Sequence, residues 1–306
     1  MSELIPFPKL KQKLCSDIKQ AIAKEQYDIA YDCFVEYEQY FEMTEALALM
    51  KCHVLWETES YLELREEAHI LLEQGYTSQD ELMIYYVKSL FALEQYQSVV
   101  SVVDEILDNV KAHQTRMILL PLKDQAQHQL NKRQEDMQVQ LQQFDQLSEG
   151  PRTELILSMI DDSAYYFADT IAYWIMQDDV SASLQSLMLE YLRFARYNQS
   201  IQLEVNGEEI TVVPAQLEGF DVTRFMESIV PEVIAQLEND YPSLVQEARI
   251  HLNAHNIAMY PYDITQLADD QTWIQTYVYY FEEMIGVSPS FSADTHILSF
   301  IKLLNT

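Results

Sequence analysis

Three short fragments, Glu25-Gln26-Tyr27-Asp28, Glu59-Ser60-Tyr61-Leu62 and Glu94-Gln95-Tyr96-Gln97, place their tyrosines 34 and 35 residues apart, each between two segments of helical period. No other feature of the sequence limits the fold as much, because a fixed period of this length specifies one supersecondary unit repeated along the chain. Three, seven and ten residues after each tyrosine come Ala30, Phe34 and Tyr37, then Leu64, Ala68 and Leu71, then Val99, Val103 and Ile106. Those offsets fall on one side of a helix, so each tyrosine opens a helix with a single packing face. Thirteen residues before the tyrosines stand Leu14, Ala48 and Met83, and six before stand Ala21, Leu55 and Leu90, which supplies the facing surface of a preceding helix. Stacked antiparallel helix pairs follow.

Period and second-helix face together resemble the tetratricopeptide repeat family over about residues 9–110. The resemblance implies an α-α superhelix of helical hairpins whose first helices line a concave groove. The chain departs from the family pattern nine residues before each tyrosine, where Ile18, Cys52 and Val87 replace a small residue. It departs again at the closing proline, replaced by Glu42, Tyr76 and Lys111, and both departures predict looser or shifted helix packing. A fourth tyrosine is due near residue 130, but Leu130 and Asn131 stand there and Pro121 interrupts the approach, so the array is expected to end. Residues 122–147 read as a polar, Gln-rich capping or connecting helix with a stripe of Leu130, Met137, Leu141 and Phe144, and Gly150-Pro151 marks a boundary.

Helices are expected over 152–177 and 180–197, the latter carrying Leu184, Leu187, Met188, Tyr191 and Leu192 at helical spacing. The clear strand signal comes next. Ile201, Leu203 and Val205 alternate with polar residues, Asn206-Gly207 suits a type I′ turn, and Ile210, Val212 and Pro214 follow, which predicts one small β-hairpin at about 201–213. Further helices are expected at about 223–240, 242–258, 268–286 and 293–304. The order of these features, from Val205-Asn206-Gly207 through Pro231, Pro242, Leu244, His255 and Pro261 to the Trp273–Tyr280 helix and Gly286, is similar to a group of tetratricopeptide-like proteins from low-GC Gram-positive bacteria. That likeness implies a helical-repeat N-terminal part and a family-specific C-terminal part, with no reaction and no catalytic residues. The expected organisation is all-α with one hairpin: three degenerate repeats over 1–112, capping or connector helices over 113–149, and a helical C-terminal domain over 150–306.

A formal charge of −30, from 49 acidic against 19 basic residues, argues against nucleic acid and anionic lipid surfaces as partners. Two stretches run the other way: residues 1–24 carry five lysines against Glu3 and Asp17, and residues 111–133 carry Lys111, Arg116, Lys123, Lys132 and Arg133 against Asp124. Both read as solvated helix faces. Cys15, Cys33 and Cys52 form neither a CxxC pair nor a disulfide pattern, and no apolar run reaches the roughly 20 residues of a membrane span. A cytoplasmic protein with reduced thiols is expected.

In tetratricopeptide proteins the positions eight, five and twelve before the tyrosine face the groove, and the resemblance puts Lys19, His53 and Lys88, then Ile22, Trp56 and Phe91, then Cys15, Leu49 and Ile84 there. One ladder is basic and two are largely apolar, which suits a protein or peptide segment with an acidic group and apolar anchors. The carboxylate clamp of some family members needs asparagines that are absent here. His251 and His255 are four apart, a zinc-ligand spacing, but Leu252-Asn253-Ala254 lacks the glutamate of zinc proteases and no third ligand is evident, so structural histidines are expected. The pairs Asp161-Asp162, Asp178-Asp179 and Asp269-Asp270 read as helix caps. A non-enzymatic adaptor, assembly factor or peptide sensor is therefore expected, without cofactor, metal or catalytic residues. The alternative is a metal-dependent enzyme centred on the C-terminal helices.

Overall fold

A computed structural model describes residues 8–75, 79–107, 110, 112–177, 180–205 and 208–304. Among them are fourteen α-helices and one two-stranded sheet, and the chain divides into two compact units, Met1–Asp136 and Met137–Thr306.

The first unit is built from three helix pairs: α1 (Pro8–Ala23) with α2 (Tyr27–Glu38), α3 (Glu45–Glu57) with α4 (Tyr61–Glu73), and α5 (Gln79–Ala92) with α6 (Tyr96–Ile106). Each repeat tyrosine is the first residue of its second helix. Two residues earlier, Glu25, Glu59 and Glu94 all take the left-handed conformation, with φ of 57°, 57° and 58°. The next amide in each case, that of Gln26, Ser60 or Gln95, donates at 2.9 Å to the carbonyl of Ala21, Leu55 or Leu90. This six-to-one bond closes a Schellman turn, which satisfies a carbonyl the first helix leaves orphaned. Three corners of one geometry are what a repeat needs.

The predicted packing faces are buried. Ala30, Phe34, Tyr37, Leu64, Ala68, Val99 and Val103 are fully enclosed, and Ile106 is half-buried. Ile18, Cys52 and Val87, the bulky replacements, are also fully enclosed, so these larger side chains are accommodated inside the helix pairs.

The third pair is followed by α7 (His113–Gln142), a single 30-residue helix. Here the structure corrects the sequence reading, since Pro121 lies inside the helix and does not interrupt it. The carbonyl that loses its partner to Pro121 is that of Met117, and both residues sit on the exposed face, where the missing bond costs less than in a core. Leu119, Ala126 and Leu130 of α7 join the core of α5 and α6. The basic stretch is not a free face either: Lys123 pairs with Asp104, Arg133 with Glu94, and Arg116 Nε donates to the Val110 carbonyl at 2.8 Å. Lys111 lies outside the described residues, as do Tyr76, the pair Asp178-Asp179 and the turn Asn206-Gly207.

The second unit opens with Met137 and Leu141 of α7 packed against α8 (Glu149–Asp161), α9 (Ala168–Trp174) and α10 (Ala182–Phe194). Gly150 and Pro151 are in the first turn of α8, where Pro is well placed because the first helical amides have no partner. The helix expected over 152–177 is two helices. Ser163, with φ of 52°, forms a fourth corner whose Ala164 amide donates to Met159 at 2.8 Å, and a 3-10 turn at Tyr165–Phe167 leads into α9. Tyr165 stands 69 residues after Tyr96, two repeat lengths on, and Ala168, Ala172 and Ile175 follow it at the repeat offsets. Arg196, with φ of 53°, makes a fifth such turn at the end of α10.

The hairpin β1 (Ile201–Val205) and β2 (Glu208–Val212) pairs antiparallel in the register Ile201 to Val212 and Leu203 to Ile210, and its Ile201, Leu203 and Val205 are buried in the same core. A second core gathers a π-helical turn Phe225–Ile229 with α11 (Val230–Asp240), α12 (Val245–Met259), α13 (Asp270–Met284) and α14 (Thr295–Leu303).

Candidate interaction groove

The helices α3 and α5 lie side by side as the first helices of successive pairs, each in contact with α4. Between them opens a cavity of about 380 Å³ lined by His53, Trp56, Glu57, Glu81, Ile84, Tyr85 and Lys88. Four of the residues placed in the groove by the repeat resemblance therefore share one cavity. The other four are elsewhere: Lys19 is exposed on α1, Ile22 packs on the core of α1 and α2, Leu49 on that of α3 and α4, and Phe91 on that of α5 and α6. Cys15, like Ile22, is half-buried against the core of α1 and α2.

Contacts around the cavity are specific. The Lys88 ammonium stands 5.1 Å from the centre of the Trp56 ring, a cation–π distance. The indole leans on Tyr61 at 5.2 Å, so the corner tyrosine of the second repeat backs the groove residue. Phe91 makes the equivalent contact with Tyr96 at 5.3 Å, and Tyr27 meets the edge of His53 at 5.7 Å. His53 Nδ1 lies 3.9 Å from a Glu57 carboxylate oxygen.

Electrostatics depart from the basic ladder that the lysine and histidine positions suggest. Glu57 and Glu81 line the same cavity, so Lys88 is a single fixed cation beside two carboxylates. Burial, then Cys52, Glu81 and Glu57, push the Tyr85 hydroxyl up to about 12, which keeps it a neutral donor at physiological pH. The Cys52 thiol behind it, raised to about 12 by burial and next by Glu67, stays protonated and unreactive. Glu81 and Tyr85, which the repeat positions omit, were legible in principle, because with Lys88 their spacing of four and three residues is one face of α5.

Below the groove, Lys51 of α3 is 5% exposed and holds Glu38 of α2 at 2.7 Å and Glu67 of α4 at 2.9 Å. Burial lowers its pKa, but the two carboxylates outweigh that effect and leave it above the ordinary lysine value. The third corner has its own clasp: Arg133 reaches the Glu94 carbonyl at 3.2 Å and carboxylate at 2.6 Å, and its guanidinium stacks 4.6 Å over Tyr96. The first clasp ties α3 to α2 and α4, and the second ties α7 to the corner between α5 and α6.

In the second unit His255 is 1% exposed, and its Nδ1 is 3.1 Å from the Tyr277 hydroxyl. The ring of His251 is 6.0 Å away, and among the described residues no group of three or more His, Cys, Asp or Glu is placed to hold a metal ion. Asp269 caps α13 by accepting from the Thr272 amide at 2.8 Å, a bond that holds its carboxyl below the usual range. Asp161 and Asp162 sit at the C-terminal end of α8 instead, where there are no free amides to cap. Among the described residues no helix is long and apolar enough to cross a membrane.

The chain is similar to the TPR repeat-containing protein YsoA of Bacillus subtilis (strain 168), at 19% identity over 277 residues that cover 88% of this chain and 83% of that protein. That relative is named as a tetratricopeptide repeat protein and comes from a Gram-positive bacterium, in agreement with the likeness read from the tyrosine period. No protein-family model and no solved structure matches the chain.

Proposed function

We propose that the chain is a non-enzymatic protein-binding repeat scaffold of the cytoplasm, acting as an adaptor or assembly factor, and that the α3–α5 cavity holds an apolar side chain of a partner segment. The single observation behind this reading is the cavity itself. It exposes part of an indole, a phenol and Ile84, with charges of both signs at its edge, on two helices that each end in a corner of the same geometry. Aromatic anchors in pockets dominate protein interfaces, and Trp56 with Tyr85 supplies such a surface. Glu57 and Glu81 beside Lys88 favour a partner that offers a cationic as well as an anionic group, where the lysine ladder alone favours an acidic one. Three free cysteines fit a reducing compartment.

The test is affinity capture from native cytoplasm with wild type and the W56A/K88A variant, followed by mass spectrometry and titration of each captured partner. Loss of a side chain of this kind is expected to weaken binding by about 30-fold or more, with the far-UV spectrum unchanged. Partners that bind the folded variant as tightly as wild type refute the use of this cavity.

A further inference from the structure

The two cores of the second unit meet around segments 217–225 and 256–264. Leu217, Tyr260 and Tyr262 belong to the first core, and Phe225, Met259 and Ile264 to the second. Between them is a cavity of about 340 Å³ that all six side chains line. Volumes of about 300–1,000 Å³ at a junction of packed bodies are typical of small-molecule sites.

Its floor is polar. Asn256, 3% exposed, accepts from the Thr223 hydroxyl at 2.7 Å and donates to the Phe220 carbonyl at 2.5 Å. An amide has two donor hydrogens and two acceptor lone pairs, so these bonds leave one of each for a guest. The mouth is anionic. Arg224, which also lines the cavity, is bonded to Asp270 at 3.0 Å twice and is drawn to Asp263 at longer range, whereas neither Glu218 nor Asp263 forms a direct ion pair among the described residues. Asp263 is fixed by the Thr265 amide at 3.0 Å and hydroxyl at 2.7 Å, and the Glu218 backbone by the Tyr260 hydroxyl at 2.7 Å. The Asp263 carboxylate is thereby held at a cavity with aromatic walls that Glu218, exposed and fixed by its backbone, also lines, in a chain whose net charge of −30 draws cations toward it.

We propose that this cavity binds an ammonium or guanidinium group carried on a short apolar stem. The cation meets Glu218 and Asp263 at the mouth and the faces of Tyr260 and Tyr262 beside them; the stem lies among Phe225, Met259 and Ile264. Such a group comes either from an arginine or lysine side chain of another protein or from a free alkyl amine or guanidine. The site is independent of the α3–α5 cavity and stands or falls without it.

Methionine methyl groups labelled with carbon-13 in the full chain report on the site, since Met259 lines it and M259L assigns its signal. Titration with n-butylguanidinium is expected to shift that resonance to saturation, while butyrate leaves it in place. The E218Q/D263N variant, altered only at exposed groups, is expected to bind about tenfold more weakly or worse. The peptide acetyl-Gly-Arg-Gly-amide binding as tightly as the free cation assigns the site to a partner's side chain, and binding of the free cation alone assigns it to a small molecule; each result supports a cation site. No shift at Met259 with either cationic probe, equal binding of butyrate, or unchanged affinity in E218Q/D263N overturns the proposal.

Discussion

Replacing Lys51 with methionine keeps most of the apolar stem and removes only the ammonium that ties three helices together. In the folded chain that ammonium lies 2.7 Å from Glu38 and 2.9 Å from Glu67, whose side chains keep 35% and 20% exposure. Breaking a buried pair by removing one partner costs about 3–5 kcal/mol, and the access of water to Glu38 lowers this to about 2–4 kcal/mol. Hydrogen exchange read by mass spectrometry on fragments from α3 and α4 is the suitable assay, because it reports the first unit without requiring both units to unfold together. At a tenfold change per 1.36 kcal/mol, K51M exchange is expected to be roughly 30- to 900-fold faster. Neutralising the stranded carboxylates in K51M/E38Q/E67Q is expected to recover most of the loss. The pH dependence has a definite sign. Since the folded pKa of Lys51 is raised, its stabilisation is fully present below the unfolded value of about 10.4 and is lost as pH rises through the folded value, so wild type converges on K51M in strong base. A K51M rate within about threefold of wild type, or a triple variant no slower than K51M, refutes the reasoning.

Glu59 is exposed, carries φ of 57° and makes only corner backbone bonds, so E59G is expected to stabilise the first unit by about 0.5–1 kcal/mol, read as slower exchange around the second corner. Pro121 occupies the exposed face of α7, and P121A restores the bond to Met117 and is expected to raise the thermal midpoint, whereas a lower midpoint shows that the helix needs the proline. Tyr191 is fully buried and donates to the Ala164 carbonyl at 2.6 Å; Y191F leaves that carbonyl unpaired and is expected to cost about 1–2 kcal/mol in urea denaturation of the second unit.

Residue types with a period announced themselves. The offsets around Tyr27, Tyr61 and Tyr96 gave the helix pairs and their buried faces, and alternation at Ile201, Leu203 and Val205 gave the hairpin. The fourth corner, at Ser163, is hidden in the sequence because Asp162-Ser163-Ala164-Tyr165 lacks the Glu-x-Tyr of the first three, although Ala168, Ala172 and Ile175 keep the offsets. Pro121 was misleading because proline breaks a helix by an unpaired carbonyl, and whether water reaches that carbonyl depends on which face is exposed.

The amino-acid order by itself determined the repeat period, the corner positions and the apolar face of each helix, all of which arise from interactions between residues close along the chain. Tertiary structure alone decided that His53, Trp56, Ile84 and Lys88 share a cavity with Glu57 and Glu81 while Lys19 stands apart, and that two cores leave a space between segments 217–225 and 256–264. A helix face fixes direction only to within a turn, whereas a cavity and its charge depend on how neighbouring helices come together, and that is set by the sum of packing contacts across the whole unit.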